Sequence, residues 1–247
     1  MSITVACGNE TVTLEPLSWD TQVLGLNSAR VVDIAGSSAT PDYAALTSKL
    51  RSLGFQYVIA RRPQAEWSRF RAFEAAGFQL VDGILSYRRE LGSVPHATGN
   101  FRVATAADAT AVGEMAARTF VYSRFHNDPL LSGKMAAHVH NEWAKNSVLG
   151  KAADCVWLAE ENGRLMGFCT GKISGETGSI VLLAVDKNFS GRGLGHNLSY
   201  KVCEWFKLQG AKVVTVQTQT SNVPAMSLYT SAGFQPFQSS YTLRWAP

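Results

Sequence analysis

Ser190-Gly191-Arg192-Gly193-Leu194-Gly195 stands between an apolar run, residues 180–185, and a stretch in which Leu194, Leu198, Val202, Trp205 and Phe206 recur at helical spacing. The pattern predicts a strand, a glycine turn and an amphipathic helix. Glycine accepts the positive φ of a tight turn, and a helix N-terminus behind such a turn offers unpaired N–H groups and a partial positive charge. The stretch therefore predicts a phosphate site. Glycines also end strands and cap helices, so the reading rests on the strand before the turn and the helix after it. Further on, Val213–Gln219 predicts another strand, and Asn222-Val223-Pro224-Ala225-Met226-Ser227-Leu228-Tyr229 a short helix. Asn222 suits the N-cap of that helix, with Pro224 tolerated in its first turn.

Outward from this segment the order of elements is regular. Residues 101–103 predict a strand, and Thr105 with Asp108 a capping pair. The helix that follows carries Val112, Met115, Ala116 and Phe120 on one face. A second helix, 133–146, carries Met135, Val139 and Trp143. Residues 156–173 predict a hairpin turning at Asn162-Gly163. Run 180–185 reads as a central strand covered on both faces, and 241–245 as a last strand. Residues 92–100, small, polar and Pro/Gly-bearing, read as a linker between 1–91 and 101–247. Ala76-Gly77-Phe78-Gln79 recurs as Ala232-Gly233-Phe234-Gln235, 233 − 77 = 156 residues later, and the same offset matches Val58 to Val214 and Phe73 to Tyr229. Residues 1–91 thus read as a smaller copy of the second region. The competing reading is that Ala-Gly-Phe is simply a common helix end.

Composition bounds the partners. The chain has 247 residues, 46% hydrophobic and 17% charged, with a net charge of +4. This suits a globular protein with an anionic small-molecule ligand and is too weak and scattered for nucleic acid. No apolar run approaches the roughly 20 residues that cross a bilayer. The start shows no basic segment followed by an apolar one, so a cytoplasmic protein without a signal peptide is expected. Cys7, Cys155, Cys169 and Cys203 lack metal or redox spacing. His138 and His140 lie two apart on a predicted helix and so on different faces; no metal site is expected.

The glycine turn, the Asn222–Tyr229 segment and the order strand, two helices, hairpin, strand, loop–helix, strand, helix, strand resemble the GNAT superfamily of acetyl-CoA-dependent N-acetyltransferases. The resemblance implies an α/β fold with a mixed sheet in 101–247, preceded by a degenerate GNAT-like domain in which Phe73 replaces the tyrosine and Glu66 replaces Asn222. It implies acetyl-CoA as cosubstrate, with the backbone around Ser190, Gly191, Arg192, Gly193, Leu194, Gly195 and His196 cradling the pyrophosphate. Leu183, Ala184 and Val185 would line the pantetheine arm and acetyl carbonyl, with Asn222, Ala225 and Leu228 completing the set. Ser190 stands where the superfamily usually has Gln or Arg, which removes one side-chain contact and leaves the backbone cradle. Arg192 is read either as a surface charge or as a charge-assisted partner of the pyrophosphate. Tyr229, read otherwise as a core residue, would lie beside the CoA sulfur. A phenol stays protonated at neutral pH and would act as general acid for the departing thiolate. No cysteine or serine is placed as a covalent nucleophile, so the amine attacks directly.

The segments Ser123-Arg124-Phe125-His126-Asn127-Asp128-Pro129, Asn141-Glu142-Trp143, Asn146-Ser147, Val216-Gln217-Thr218-Gln219 and Tyr241-Thr242-Leu243-Arg244-Trp245 resemble bacterial sugar-nucleotide N-acetyltransferases within that superfamily. So does the opening Leu14-Glu15-Pro16-Leu17-Ser18-Trp19-Asp20 with Leu24-Gly25-Leu26-Asn27-Ser28-Ala29. The resemblance implies acetylation of an amine on a dTDP-linked amino-deoxyhexose for surface polysaccharide. Arg124, Phe125, His126, Asp128 and Gln219 then become the acceptor-binding residues. Arg124 would clamp the diphosphate, or pair with Asp128 across the loop. His126 or Asp128 would order the amine or a water. Phe125 is core or a platform for the base, and the general base stays open. Acetylation of an aminoglycoside or polyamine, and a non-catalytic CoA-binding module, are the alternatives. Monomer and homodimer both remain open.

Overall fold

The computed structural model describes residues 2–247, and the chain divides into two compact units. Among the described residues, unit 1 comprises 2–84 and Ser239–Pro247, and unit 2 comprises Leu85–Gln238. In chain order the elements are β1 (Ile3–Cys7), β2 (Glu10–Pro16), α1 (Ser18–Leu24), β3 (Ser28–Gly36), α2 (Ala44–Ser52), β4 (Tyr57–Pro63), α3 (Trp67–Ala75) and β5 (Gln79–Glu90). Then come β6 (Phe101–Val103), α4 (Ala109–Thr119), α5 (Arg124–Asn127), α6 (Gly133–Val148), β7 (Cys155–Glu161), β8 (Arg164–Ser174) and β9 (Thr177–Val185). The chain ends with α7 (Leu194–Leu208), β10 (Val213–Gln219), α8 (Val223–Ser231) and β11 (Gln235–Trp245). No helix among the described residues is long and apolar enough to cross a membrane.

In unit 1, β1, β2 and β3 pair antiparallel, β3 and β4 parallel, and β4 takes the Ser240–Trp245 end of β11 antiparallel. Leu243 and Trp245 are sealed in the unit 1 core with Tyr43, Leu46, Leu50, Val58 and Phe73. The last strand, read from sequence with 101–247, is therefore packed with the first residues of the chain. Residues 92–100, read as a linker, lie inside unit 2. Ala97 N–H donates to Glu204 at 2.9 Å and Thr98 N–H to Asn197 at 2.8 Å, both on α7, and Ala97 is buried.

In unit 2, β6, β7, β8 and β9 pair antiparallel and β9 and β10 parallel. The register between β8 and β9 moves from Gly171↔Ile180 to Thr170↔Leu182, so Val181 is the extra residue of a bulge, and Leu182 N–H donates to the Thr170 hydroxyl at 3.0 Å. A bulge bends its strand away from a neighbour. The parallel pairing of β9 with β10 accordingly stops at Ile180↔Val216, although both strands continue. The bulge also exchanges faces. Leu182 and Ala184 pack with Phe168 and α4, whereas Leu183 and Val185 pack with α7, α8 and Tyr229.

Two helices differ in detail from the sequence reading. On α6 the buried residues are Ala136, Val139, His140, Ala144 and Ser147, with Met135 and Trp143 half-buried. Small residues face α4 because the helices approach closely: a Cβ on Gly113 of α4 would stand 2.9 Å from Lys145 Cγ and 3.1 Å from the Asn141 carbonyl. On α7, Leu198, Val202 and Phe206 are buried as expected, and Gly195, Ser199 and Cys203 join them in place of Leu194 and Trp205.

Candidate active site

The end of β9 leads through a short 3-10 turn, Lys187–Phe189, into the glycine loop. Asp186 sets that turn. Its carboxylate accepts from the Asn188 backbone N–H at 2.9 Å and from the Asn188 side chain at 2.8 Å, and takes Arg118 of α4 at 3.3 Å. These bonds, the Asn188 backbone one foremost, hold its pKa below the usual carboxylate range. Gly191 and Gly193 both have positive φ, 77° and 74°. No side chain caps the first turn of α7, and a Cβ on Gly191 would meet nothing within 4 Å. Backbone N–H groups at a helix start, with open space before them, form an anion cradle that fits a pyrophosphate.

Side chains around the cradle take distinct places. Ser190, Gly191, Arg192 and Gly193 are exposed, and Leu194 is half-buried. Gly195 is buried against Leu228, where a Cβ would collide, so its bare backbone serves the contact of α7 with α8. His196 Nε2 lies 2.7 Å from the Ser231 hydroxyl. The Arg192 and Arg164 guanidinium carbons stand 5.3 Å and 5.0 Å from the Phe189 ring centroid, so two cations flank the loop. Arg164 sits on the strand after the Asn162-Gly163 turn, and sequence spacing alone did not associate it with the loop. Asp186 was equally unmarked.

Asn222 is the N-cap of α8, and its side chain accepts from Ala225 N–H at 3.2 Å. Gln219, half-buried at the end of β10, accepts Asn222 N–H on its carbonyl at 3.0 Å. Tyr229 is 5% exposed. Its ring lies 5.9 Å from Tyr87 and 5.7 Å from Phe234. Leu183, Val185, Leu194, Ala225 and Leu228 pack on the same apolar cluster. Burial pushes the Tyr229 phenol above its ordinary value, so it holds its proton at neutral pH.

On the other face of β9, α5 is a single turn beginning after Ser123. Phe125 is 4% exposed, with the Arg124 guanidinium carbon 3.9 Å from its ring centroid. It would thus act on a ligand through Arg124 rather than by stacking. Asp128 is buried and its carboxylate accepts from Leu130 N–H at 3.0 Å. His126 Nδ1 lies 2.8 Å from the Ser123 hydroxyl, and burial lowers its pKa. Val121, Tyr122 and Leu130 beside them are exposed. All four cysteines are free and buried. No cluster of metal-ligating side chains occurs among the described residues.

Residues 119–234 match the model of the Acetyltransferase (GNAT) family. The chain therefore carries an N-acetyltransferase domain of that family, which uses acetyl-CoA as acetyl donor. The chain is 26% identical over 234 residues to the dTDP-fucosamine acetyltransferase of Escherichia coli O6:H1, covering 93% of this chain and 96% of that one. It is 34% identical over 134 residues to the spore coat polysaccharide biosynthesis protein SpsD of Bacillus subtilis, covering 54% of this chain and 46% of that protein. It thus spans about half the length of SpsD and nearly all of the E. coli enzyme. The GCN5-related N-acetyltransferase from Sphaerobacter thermophilus shares the fold with a TM-score of 0.63 at 18% identity, covering 96% of this chain and 76% of that one. A tandem GNAT protein from the clavulanic acid biosynthesis pathway does so with a TM-score of 0.63 at 13% identity, covering 96% and 78%.

Proposed function

We infer that this chain transfers the acetyl group of acetyl-CoA to the amine of a nucleotide-activated amino-deoxysugar, as a step toward a surface polysaccharide. The observation that carries the substrate class is the near full-length likeness to dTDP-fucosamine acetyltransferase, which extends through the acceptor loop and not only through the cofactor loop. The cradle at Gly191–Gly193 receives the pyrophosphate, with Arg192 and Arg164 close by. The pantetheine arm enters where β9 and β10 part, and pairs with backbone groups of Leu183, Ala184 and Val185 that β10 leaves unpaired. Arg124 and His126 meet the acceptor, and the exposed side chains of Val121, Tyr122 and Leu130 offer its apolar parts a surface. The amine attacks the thioester carbonyl directly, and Tyr229 gives its proton to the thiolate as the carbon–sulfur bond breaks.

Unit 2 carries this chemistry alone. Unit 1 is read as a diverged copy of it, because β4, α3 and the start of β5 stand 156 residues before β10, α8 and the start of β11 (213 − 57, 223 − 67, 235 − 79) without a gap. The purified protein, given acetyl-CoA, is expected to acetylate a dTDP-linked 4-amino-6-deoxyhexose far faster than aminoglycosides or polyamines. Turnover of those amines with none of the sugar nucleotide would overturn the substrate class.

A further inference from the structure

His140 of α6 is 3% exposed and sits within an aromatic set. Phe120 lies parallel to it at 5.2 Å and His126 at 5.4 Å, Trp143 is stacked at 6.4 Å, and Phe125 meets it edge-on at 5.8 Å. Its Nδ1 stands 2.8 Å from the Ala136 carbonyl. A carbonyl only accepts, so Nδ1 carries the proton and Nε2 the lone pair. Nε2 has no partner among the described residues. The one side-chain nitrogen or oxygen there that is both fully sealed from solvent and unpartnered is Trp157 Nε1, so His140 Nε2 is not fully sealed although the residue around it is buried. An unpartnered acceptor held in one tautomer within a buried ring set is poised for a donor. Phe120, against which the imidazole stacks, contacts Phe168 edge-on at 6.4 Å, and Phe168 pairs with Ala184 on the strand expected to hold the acetyl group.

We propose that His140 Nε2 takes the proton that the acceptor amine must lose, an inference that rests on the acetyltransfer reading above. The amine lone pair forms the carbon–nitrogen bond while the carbonyl π pair moves to oxygen. The nitrogen, now positively charged and far more acidic than a free ammonium, passes its proton to Nε2. The carbonyl re-forms, the carbon–sulfur bond breaks with its electron pair on sulfur, and the thiolate takes the Tyr229 proton. Solvent then returns a proton from the imidazolium to the phenolate, so the sum is amine plus thioester to amide plus thiol. Burial, with the nearby charges of His126 and Arg124 adding to it, pushes the His140 pKa down to about 4. The imidazole is therefore unprotonated at neutral pH. Its charged or titratable neighbours are His126 and Arg124, both of α5.

The test uses the full chain with acetyl-CoA. His140→Phe keeps a ring against Phe120 and removes the acceptor; kcat should fall by about 10²–10⁴-fold with acetyl-CoA affinity by calorimetry unchanged. His140→Ala leaves an imidazole-sized gap, and added imidazole should restore its kcat by tenfold or more while leaving the Phe variant unmoved. Wild-type kcat in folded His140→Phe would overturn the proposal. So would a slow His140→Ala that is indifferent to imidazole, and this second variant carries the test where the first does not fold. The unsubstituted protein is first assayed on the sugar nucleotide, aminoglycosides and polyamines. Failure of the substrate reading appears there, whereas failure of this proposal appears only in the variants, on whichever amine the chain acetylates.

Discussion

Two helix starts, one in each unit, differ in what meets their backbone donors. At the start of α7 no side chain caps the backbone, and the loop before it is glycine and arginine. At the start of α2 the Asp42 carboxylate accepts Ala44 N–H at 2.9 Å. The contrast continues along each unit. Asn222 caps α8 neutrally, whereas Glu66, at the matching position before α3, pairs with Arg62 at 2.6 Å and Arg69 at 3.3 Å. Behind it Glu10, 2% exposed, takes Arg69 at 3.0 Å and the Tyr43 hydroxyl at 2.6 Å. In unit 2 the start of α7 leaves its backbone donors without a side-chain cap. Unit 1 instead places Asp42, Glu66 and Glu10 at or near its helix starts, and Arg62 and Arg69 are paired with two of them. On the proposed reading, the negative charge is supplied by a ligand in unit 2 and by the chain's own carboxylates in unit 1.

The largest effect expected from breaking this contrast is at its aromatic pair. Phe234 N–H donates to the Tyr229 carbonyl and Phe78 N–H to the Phe73 carbonyl, both at 2.9 Å, so the two rings hang from equivalent turns. Tyr229→Phe removes only the phenol oxygen from an apolar setting. kcat should drop by about 10²–10⁴-fold with KM for acetyl-CoA nearly constant. Phe73→Tyr should leave kcat unchanged, because unit 1 offers no open helix start. Steady-state kinetics under rate-limiting chemistry decide it. A wild-type kcat in Tyr229→Phe makes that tyrosine a packing residue.

Next in size is the ion cluster of unit 1. Arg69→Ala leaves Glu10 buried with only Tyr43 to satisfy it, and removing one partner of a buried pair costs about 3 kcal/mol. Urea unfolding should show that loss, while acetyl-CoA affinity of the folded fraction stays constant. An affinity that falls in parallel would mean that unit 1 shares in cofactor binding.

The segments of unit 2 that touch the cofactor reading were legible because they are local. Glycines with positive φ, a polar N-cap and a helical stripe are written in consecutive residues, and Val213–Gln219 emerged with the bounds expected. What depends on distant pairing was not. The bulge at Val181 lies inside an unbroken apolar run, and nothing in the run marks which residue is extra. Trp245 reads as the end of any amphipathic strand, and its burial with Tyr43 and Leu50 is a contact across nearly the whole chain. On α6 the large residues Met135 and Trp143 suggested the buried face, yet closeness to α4 selected Ala136 and Ala144. The sequence weighs His140 only with His138 as a metal pair, because their spacing carries no other signal; only the Ala136 carbonyl and the surrounding rings give His140 a tautomer and a direction.

Gly193 sharpens the comparison at its centre. A Cβ there would find only Asn197 Nδ2, at 3.9 Å, so the loop itself has room and the cost falls on backbone and ligand. Holding a non-glycine residue at φ of 74° costs roughly 1–2 kcal/mol, or about tenfold in any equilibrium that needs that turn. Gly193→Val should weaken acetyl-CoA by at least about tenfold in calorimetry, with the circular dichroism of the fold retained. Unchanged affinity in the folded variant removes the cradle assignment.

The smallest effect is expected at Asp42, and it asks the converse question. Asp42→Ala frees Ala44 N–H at the start of α2 and withdraws a helix-start carboxylate, a loss of about 1 kcal/mol that should lower Tm by roughly 2–4 °C. If an open helix start were sufficient for binding, the variant would gain a second acetyl-CoA site. It should not, because Glu66 and Glu10 remain beside the place where the anion would sit, and no glycine turn precedes Ala44. Titration calorimetry should return one acetyl-CoA per chain in both proteins. A stoichiometry of two in the variant would mean that a single carboxylate separates the two units, and that the acidic cluster behind it is incidental.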